Sequence, residues 1–451
     1  MSELGLIARH AGTVLIGQLA VMAFGIADTV IAGRYSPQAL AVLSLASSIY
    51  ISIYVALNGM LQALLPAWAE LRGAGHSAQI GASVRQALYV CAGAALIGCT
   101  GLWFPEPWLL WTGVPDALWP EVQAYLRVLA VALVPSLLFR MYSTLNQSLG
   151  FPRLVTWLQA AALAVKIPLS YALTFGWHLG DLHVTGMGVV GCAWATLGVN
   201  TFMLIMGLYL LRTQDIYRPY QLWQAVERPQ WPVLKHFLQL GVPAGLSIMV
   251  EVTSFTMMAL FIARLGAVAS ASHQIAASLA AVLYMVPLAL GIASSARTGY
   301  WLGAAQPLRA RGAAGLGIGL SIGAALLGAT LLWVGRETIA HAFTIDAAVA
   351  QAATWWLGWV ALYHLADAVQ AVCAFLLRCY RITLMPLIIY TGLLWGLGLY
   401  GGYRLAYIGW GSWPQRPSVE TFWMTSTGAL AIVSALFAGL VWRVSRMPRK
   451  P

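Results

Sequence analysis

The sequence predicts an all-α integral membrane protein with twelve transmembrane helices in two six-helix lobes. Hydrophobic residues make up 60% of the 451 positions and charged residues only 9%, whereas soluble proteins contain about 25% charged residues. The apolar residues form long continuous runs and do not alternate with a period of two, which argues against a membrane β-barrel. These observations exclude an ordinary soluble enzyme.

A helix needs about 20 apolar residues to cross a bilayer, and runs of this kind define the twelve predicted spans. The first run is longer than the apolar core of a signal peptide and no A-x-A cleavage site ends it, so we expect it to be retained. The spans cover residues 11–33, 39–66, 82–104, 122–145, 154–176, 185–211, 236–263, 269–295, 312–334, 350–376, 382–403 and 420–442.

The distribution of basic residues predicts the orientation. If the N-terminus is cytoplasmic, eighteen of the 25 Lys and Arg residues, Arg140 and Arg378 among them, lie at cytoplasmic helix ends and loops. Six lie on the outer side of the membrane, and Lys166 lies inside a span. This bias agrees with the positive-inside rule and predicts that both termini are cytoplasmic. It also accounts for the net charge of +11 without nucleic acid as a partner, since no basic tract with interleaved aromatic residues is present.

The longest polar connection, about 212–235, divides the chain into two similar halves. We predict an N-terminal lobe of residues 1–223 and a C-terminal lobe of residues 224–451. Short matches recur at an offset of about 230 residues, such as Ile31-Ala32-Gly33 and Ile262-Ala263-Arg264. Two halves of the same topology are typical of transporters whose lobes are related by a pseudo-twofold axis along the membrane normal.

Three acidic residues, Asp28, Glu251 and Asp367, lie inside predicted spans. A charge at the bilayer centre costs about 2.5–3.5 kcal/mol on insertion scales, and such residues usually serve an ion, proton or substrate pathway. The alternative is a structural acid that is protonated or hydrogen-bonded to a neighbouring helix. Two carboxyl groups can exchange protons or, with other oxygen ligands, bind Na⁺, and the sequence leaves both possibilities open.

Other polar residues lie close to these acids in sequence. Tyr363 is one helical turn from Asp367, where it can donate to the carboxylate or line a cation site. His364, and likewise His273, can relay protons or simply pack. Lys166 lies deep in the fifth span, where it either extends towards the interface or pairs with Asp28.

Enzyme signatures are missing from the sequence or lie in the wrong context. A G-x-S-x-G match at 319–323 lies in mid-span and not on a strand–turn–helix elbow. The five cysteines contain no C-x-x-C pair, so neither a disulfide framework nor a zinc site is indicated. No P-loop or H-E-x-x-H motif is present, and we therefore expect a transporter and not an enzyme.

The chain resembles the multidrug and toxic compound extrusion (MATE) antiporters, specifically their NorM-like bacterial branch, over nearly its whole length. The segments that carry the resemblance are Gly25-Ile26-Ala27-Asp28-Thr29, Gly241-Val242-Pro243, Glu251-Val252-Thr253, Ser272-His273-Gln274-Ile275-Ala276, Arg297-Thr298-Gly299, Leu302-Gly303, Tyr363 and Asp367-Ala368-Val369-Gln370.

The resemblance implies export of amphipathic, often cationic compounds in exchange for Na⁺ or H⁺. It implies a coupling-cation site at Glu251, Asp367 and Tyr363, with the two acids as Na⁺ ligands if sodium is the coupling ion. Asp28 matches an acid that handles protons or substrate in the N-terminal lobe. One departure is that Lys166 and Ser170 stand where such relatives usually have asparagines, and we include both in that second site.

The resemblance further implies a monomer in the bacterial inner membrane, with the lipid bilayer and small amphipathic molecules as partners and no cofactor besides the coupling ion. The alternative function is a flippase or metabolite exporter of the same superfamily, in which Lys166 binds an anionic or lipid-linked substrate.

Overall fold

The computed structural model describes residues 2–112, 116–179, 182–412 and 414–447. Within these ranges, twelve helical segments are long and apolar enough to cross a membrane, which confirms the predicted fold class. The first half contains α1 (Glu3–Tyr35), α2 (Pro37–Gln62), α3 (Leu65–Gly73), α4 (Ser77–Trp103), α5 (Glu106–Thr112), α6 (Trp119–Leu149), α7 (Pro152–Phe175) and α8 (Val190–Thr213). The second half contains α9 (Trp231–Ala263), α10 (Ala267–Gly303), α11 (Pro307–Phe343), α12 (Ala347–Cys379), α13 (Leu384–Tyr390), α14 (Gly401–Tyr403) and α15 (Val419–Val444).

Local capping explains several helix boundaries. The Ser36 hydroxyl accepts a hydrogen bond from the Ala39 backbone N–H at 3.0 Å, and a proline follows in the first turn of α2. Asp346 caps α12 by accepting from the backbone N–H groups of Ala348 and Val349. Helix α6 ends at Gly150, whose φ of 79° is left-handed and therefore favours glycine.

A short antiparallel hairpin joins α7 to α8, where the sequence analysis predicted no strand. Strands β1 (Gly176–Leu179) and β2 (Leu182–Thr185) pair with Gly176 opposite Thr185 and Leu179 opposite Leu182. Strands of four residues are too short to give a period-two signal that stands out beside long apolar helices.

The eleventh membrane segment contains stretches of π-helix. Between α13 and α14, and again after α14, the chain forms π-helix at Thr391–Tyr400 and Arg404–Ile408. The Trp395 indole N–H donates to the Val250 backbone carbonyl of α9 at 3.1 Å. This contact lies next to Glu251 and ties α9 to the eleventh segment.

The chain forms two compact units. The first unit is Ile16–Gly245, and the second consists of Met1–Leu15 together with Leu246–Pro451. Helices α1 and α9 each contribute their first residues to one unit and the remainder to the other. A division at residues 223 and 224, as predicted, keeps both helices whole.

Each unit has its own packed interior. In the first unit, buried leucines of α2, α4 and α6 share one core that includes Leu61, Leu102 and Leu133. In the second unit, α12 packs against α10, α11 and α15. Helix α12 is therefore central to its unit, and its buried face positions the acidic site described below.

A cluster on α4 holds the polar connection that precedes α9. We call Arg85, Gln86 and Glu227 the linker clamp. Arg85 Nε donates to Glu227 Oε2 at 2.9 Å, and Arg85 Nη1 donates to the Gln221 carbonyl at 2.6 Å. Gln86 donates to the Arg228 carbonyl at 3.0 Å and accepts from the Gln230 N–H at 2.9 Å. Since Arg85 is buried, the clamp fixes the connection to the first unit.

The first prediction concerns this clamp. Replacing Arg85 with glutamine is expected to increase the rate at which the protease Glu-C cleaves after Glu227 at least about tenfold. In the wild type, charge-assisted hydrogen bonds from Arg85 hold the polar connection against α4, so that the connection rarely opens to a protease. Asp215→Asn is the matched control, since it breaks the exposed Arg218–Asp215 pair and leaves the clamp intact. Equal cleavage rates for the wild type and Arg85→Gln would contradict the clamp.

The clamp also has a defined pH range. The hydrogen bond from Arg85 lowers the pKa of Glu227 from 4.5 to about 2. A carboxyl group whose pKa is lowered by folding stabilises the folded arrangement at pH values above its ordinary pKa. This stabilisation is lost as the pH falls through the lowered pKa. The ion pair should therefore persist from neutral pH to about 4.5 and disappear towards pH 2.

Candidate functional site

An acid pair lies in the interior of the second unit. Glu251 of α9 and Asp367 of α12 both accept hydrogen bonds from the side-chain amide of Gln370. The distances from Gln370 Nε2 are 3.1 Å to Glu251 Oε1 and 2.9 Å to Asp367 Oδ1. Because a primary amide has two N–H donors, both donors of Gln370 are used, and the two acids are linked through one group.

A tyrosine fixes the orientation of this bridging amide. The hydroxyl of Tyr390, in α13, donates to Gln370 Oε1. Gln370 is fully buried, so its three hydrogen bonds define which end carries the nitrogen. The bridge therefore places donors between the two carboxylates and directs the amide oxygen towards α13.

A basic side chain lies within electrostatic range of the acid pair. Arg378, two turns after Gln370 on α12, attracts Glu251. Its guanidinium carbon is 4.4 Å from the centre of the Phe375 ring. Among the described residues, Arg378 Nη1 has no hydrogen-bond partner. The pair of acids is therefore partly balanced by a buried cation that makes no direct ion pair with either.

Tyr363 lies on α12, but its hydroxyl does not donate a hydrogen bond to Asp367. Its ring packs edge-to-face against Phe255 at 5.5 Å and against Trp423 at 5.7 Å. Its hydroxyl makes no hydrogen bond with the residues that the structure describes, although it interacts electrostatically with Asp367 and Glu251. Tyr363 thus forms an aromatic wall beside the acids, and its role as a cation ligand stays a prediction.

The two candidate relay histidines are buried and make no hydrogen bond with the residues that the structure describes. Both ring nitrogens of His273 and Nδ1 of His364 are without partners in the described part of the chain. The His273 ring lies 5.8 Å from that of Trp423. Neither histidine is hydrogen-bonded to Asp367, so this geometry shows no continuous proton path through them. Their relay role stays a prediction.

The three candidate residues of the N-terminal lobe meet in the first unit. Lys166 Nζ lies 2.9 Å from Asp28 Oδ2, and the Ser170 hydroxyl donates to Asp28 Oδ1 at 3.0 Å. Lys166 is 1% exposed. Of the two alternatives for Lys166, the structure therefore shows the pair with Asp28 and not the extension towards the interface.

The Lys166 ammonium is fully saturated. Besides Asp28, it donates to the Cys192 carbonyl at 3.0 Å and to the Thr196 hydroxyl at 2.7 Å. An ammonium has three N–H donors, so none remains for another acceptor. The pair is a closed, neutral unit, and Lys166 has no donor left for an incoming anionic group in this arrangement.

Sequence reasoning missed several polar residues at these sites. Gln370 and Tyr390 form the bridge, and Thr196 completes the lysine site, but uncharged polar residues are common in membrane helices and carry little signal. Arg140 and Arg378 were counted among positive charges at cytoplasmic ends, yet both are buried inside helices. The available signal for Arg140 was its position several residues before the end of the run 122–145, whereas Arg378 lies just beyond the run 350–376 and gave no such signal.

The acid pair offers oxygen atoms suited to a hard cation. In the part of the chain that the structure describes, no three His, Cys, Asp or Glu side chains lie close enough together to hold a metal ion. A Na⁺ ion at Glu251 and Asp367 would therefore need further oxygens, and the Tyr363 hydroxyl is the candidate nearby. Gln370 Oε1 instead accepts from Tyr390 and is directed towards α13. Protonation of either acid requires no such additional ligand.

The second prediction tests the bridge. Gln370→Leu is expected to lower the free energy of unfolding by about 1–3 kcal/mol, since it leaves the buried Asp367 and the half-buried Glu251 without their shared donor. Thermal or chemical unfolding in detergent measures this change. Gln274→Leu on the exposed face of α10 is the control, and equal stability of the two variants would contradict a structural role for the bridge.

Comparison with known proteins gives consistent matches along the whole chain. The model of the MatE family matches residues 14–172 and 243–403. A probable multidrug resistance protein NorM from Aromatoleum aromaticum is 39% identical over 446 residues, covering 99% of this chain and 95% of that protein. The multidrug resistance protein PmpM from Pseudomonas aeruginosa is 34% identical, covering 92% of this chain and 87% of that protein.

Solved structures match the fold. The eukaryotic MATE transporter AtDTX14 superposes with a TM-score of 0.84 at 17% identity, covering 98% of this chain and 97% of that one. An outward-facing multidrug resistance MATE family transporter superposes with a TM-score of 0.87 at 15% identity, covering 99% and 98% of the two chains. At these identities the likeness establishes a shared fold.

Proposed function

The chain belongs to the MatE family, and from this premise we propose that it is a secondary antiporter that exports amphipathic, often cationic compounds in exchange for Na⁺ or H⁺. Its relatives are multidrug resistance proteins of similar length, so the chain is a multi-pass membrane transporter and not an enzyme. The observation that carries the coupling proposal is the amide-bridged pair of Glu251 and Asp367.

The acid pair supports coupling because its charge state controls its own hydrogen bonds. Two neighbouring carboxylates, of which Asp367 is buried and Glu251 half-buried, repel one another when both are ionised. A proton or Na⁺ bound at the pair relieves this repulsion and competes with the Gln370 donors. Ion binding therefore favours a different arrangement of α9 against α12, which is the differential interaction that a conformational change requires.

The proposed cycle follows from this linkage. An ion that enters from outside binds at Glu251 and Asp367. Its binding weakens the binding of the substrate, which is then released outside. Reorientation then exposes the pair to the cytoplasm, where the ion leaves and new substrate binds. We further propose a monomer in the bacterial inner membrane, and the distribution of basic residues supports an orientation with both termini cytoplasmic.

The alternative was a flippase or metabolite exporter in which Lys166 binds an anionic headgroup. All three donors of Lys166 are already used by Asp28, Cys192 and Thr196. An anion would have to displace the Asp28 carboxylate to reach the ammonium. This geometry gives no support to recognition of an anion through Lys166.

Flux measurements in proteoliposomes test the proposed function. We would follow uptake or release of a fluorescent organic cation such as ethidium, first under an imposed Na⁺ gradient and then under a pH gradient. Transport that depends on one gradient would support antiport and identify the coupling ion. Absence of transport under both gradients, with protein shown to be folded, would overturn export of organic cations.

A further inference from the structure

The second unit contains a hollow between the end of α9 and the eleventh membrane segment. Its volume is about 300 Å³, and it is lined by Phe261, Arg264, Leu399, Tyr400 and Tyr403. Both elements belong to the same compact unit. With the N-terminus cytoplasmic, as proposed above, the seventh and eleventh spans both end on the outer side of the membrane. The hollow therefore lies at the outer membrane–water interface.

Contacts between the two elements fix the walls of the hollow. The Tyr407 hydroxyl donates to the Phe261 backbone carbonyl at 2.6 Å, and the ring centres of Phe261 and Tyr403 lie 5.0 Å apart. The backbone of the eleventh segment is π-helical up to Tyr400 and again from Arg404, and π-helix is rare and frequently found at functional sites. The hollow is therefore formed before any ligand binds.

Arg264 contributes a guanidinium whose position is set by aromatic rings. Its guanidinium carbon lies 5.7 Å from the centre of the Phe261 ring and 6.0 Å from that of Tyr407. Arg264 is exposed, and its side chain makes neither a hydrogen bond nor an ion pair with any residue that the structure describes. Contact with aromatic rings orients a guanidinium without using its N–H donors. The planar fork can therefore form two parallel hydrogen bonds to a phosphate.

A second arginine adds to the positive charge at this end of the unit. Arg404 directly follows Tyr403 and lines a second hollow of about 470 Å³, with Gly409 and Ser412 among its other walls. Within the described ranges, the Arg404 side chain has no acidic partner either. Because neither Arg264 nor Arg404 is neutralised by an ion pair, both attract an anionic group.

The exposed surface beside the hollow is largely apolar. Leu260 is 57% exposed and Tyr400 is 55% exposed, and both belong to membrane-spanning segments. The exposed apolar surface of such a segment contacts acyl chains, and tyrosine is enriched at membrane interfaces. The volume of the hollow is at the small end of the range for ligand sites, so it has room for a head group but not for acyl chains. A ligand that matches this surface has an anionic head group and apolar chains that lie outside the hollow.

We propose that this hollow binds the phosphate of an anionic phospholipid of the outer leaflet. The phosphate accepts hydrogen bonds from the Arg264 guanidinium, the head group occupies the hollow, and the acyl chains lie along Leu260 and Tyr400. The bound lipid bridges α9 and the eleventh segment, whose Trp395 indole already contacts α9 beside Glu251. This site is separate from the acid pair, and it does not depend on which compound is exported.

Native mass spectrometry of the purified full-length protein tests the site. The protein is freed of co-purified lipid in a non-ionic detergent and titrated with dioleoylphosphatidylglycerol, dioleoylphosphatidylcholine or dioleoylglycerol, which share acyl chains and differ in head group. We expect phosphatidylglycerol to bind at least about tenfold more tightly than dioleoylglycerol, with phosphatidylcholine between them. Arg264→Gln should weaken phosphatidylglycerol binding about tenfold or more and leave dioleoylglycerol binding nearly unchanged.

Matched variants separate this site from other lipid contacts. Arg264→Lys keeps the charge but loses the planar fork, so its affinity for phosphatidylglycerol should lie between those of the wild type and Arg264→Gln. Arg336→Gln removes an arginine of α11 whose guanidinium carbon lies 4.6 Å from the centre of the Trp333 ring, and it should behave as the wild type. The proposal is overturned if folded Arg264→Gln binds phosphatidylglycerol as tightly as the wild type. It is also overturned if the wild type does not distinguish phosphatidylglycerol from dioleoylglycerol.

Thermal unfolding distinguishes a lipid ligand from a soluble phosphate. We expect phosphatidylglycerol to raise the unfolding temperature of the wild type more than that of Arg264→Gln. Millimolar inorganic phosphate, compared with chloride at equal ionic strength, should leave both unfolding temperatures unchanged. If inorganic phosphate stabilises the wild type as much as the lipid does, and does not stabilise Arg264→Gln, the ligand is a free anion and the lipid proposal is overturned.

Discussion

Replacing Asp367 with asparagine is expected to abolish gradient-driven export while the protein remains folded. The asparagine carbonyl can still accept from Gln370 Nε2, which donates to Asp367 Oδ1 at 2.9 Å in the wild type. The amide, however, can neither take up a proton nor supply a negative charge to Na⁺. Loss of a buried charged partner typically costs about 2–5 kcal/mol, which corresponds to a fall in coupled flux of about 30-fold or more.

The measurement is the proteoliposome flux under whichever gradient drives the wild type. Asp346→Asn is a matched control on the same helix, because Asp346 is an exposed N-cap and asparagine caps helices about equally well. Size-exclusion profiles and thermal unfolding establish that each variant is folded. Wild-type flux from a folded Asp367→Asn variant would remove Asp367 from the coupling mechanism.

Replacing Lys166 with methionine is expected to destabilise the first unit severely. The change leaves Asp28, which is 7% exposed, as a buried acid without its cation. Breaking a buried ion pair from one side typically costs about 3–5 kcal/mol. Removing both partners is often nearly neutral, so the double variant Asp28→Asn, Lys166→Met should recover most of the loss.

Chemical unfolding of the four proteins in detergent forms a double-mutant cycle that isolates the pair. Lys235→Met is the control, since Lys235 is an exposed lysine near the start of α9 and its loss should change stability little. A double variant as unstable as Lys166→Met alone would show that the ammonium acts chiefly through Cys192 and Thr196.

The acidic residues of both sites could be predicted because charge stands out in an apolar segment. Asp28, Glu251 and Asp367 each interrupt long uncharged runs, and insertion of a charge into lipid is costly enough that chance retention is rare. Lys166 stands out for the same reason, and Asp28 was one of its two possible environments, because a buried cation needs a nearby anion. The number of membrane helices followed from length and hydropathy alone.

The other residues of the two sites could not be predicted, because their roles depend on contacts between helices that the sequence pattern does not contain. Gln370 bridges two acids only because α9 and α12 approach at that level. The family resemblance included it in the segment Asp367-Ala368-Val369-Gln370 but assigned it no role. Arg140 looked like one of many arginines near helix ends, since its burial is set by packing of α6 against neighbouring helices. The hairpin between α7 and α8 is too short to produce a recognisable repeat.

The division of α1 and α9 between the two units has a consequence for biosynthesis. Residues Met1–Leu15 belong with Leu246–Pro451, so the ribosome makes them long before most of their unit exists. The first unit, in turn, is incomplete until the beginning of α9 has been made. The first unit is therefore complete once Gly245 has been made, whereas the second unit is completed only when the last part of the chain joins Met1–Leu15. If the two halves were expressed as separate polypeptides cut in the polar connection, each would lack part of its own interior and would need the other to be inserted at the same time.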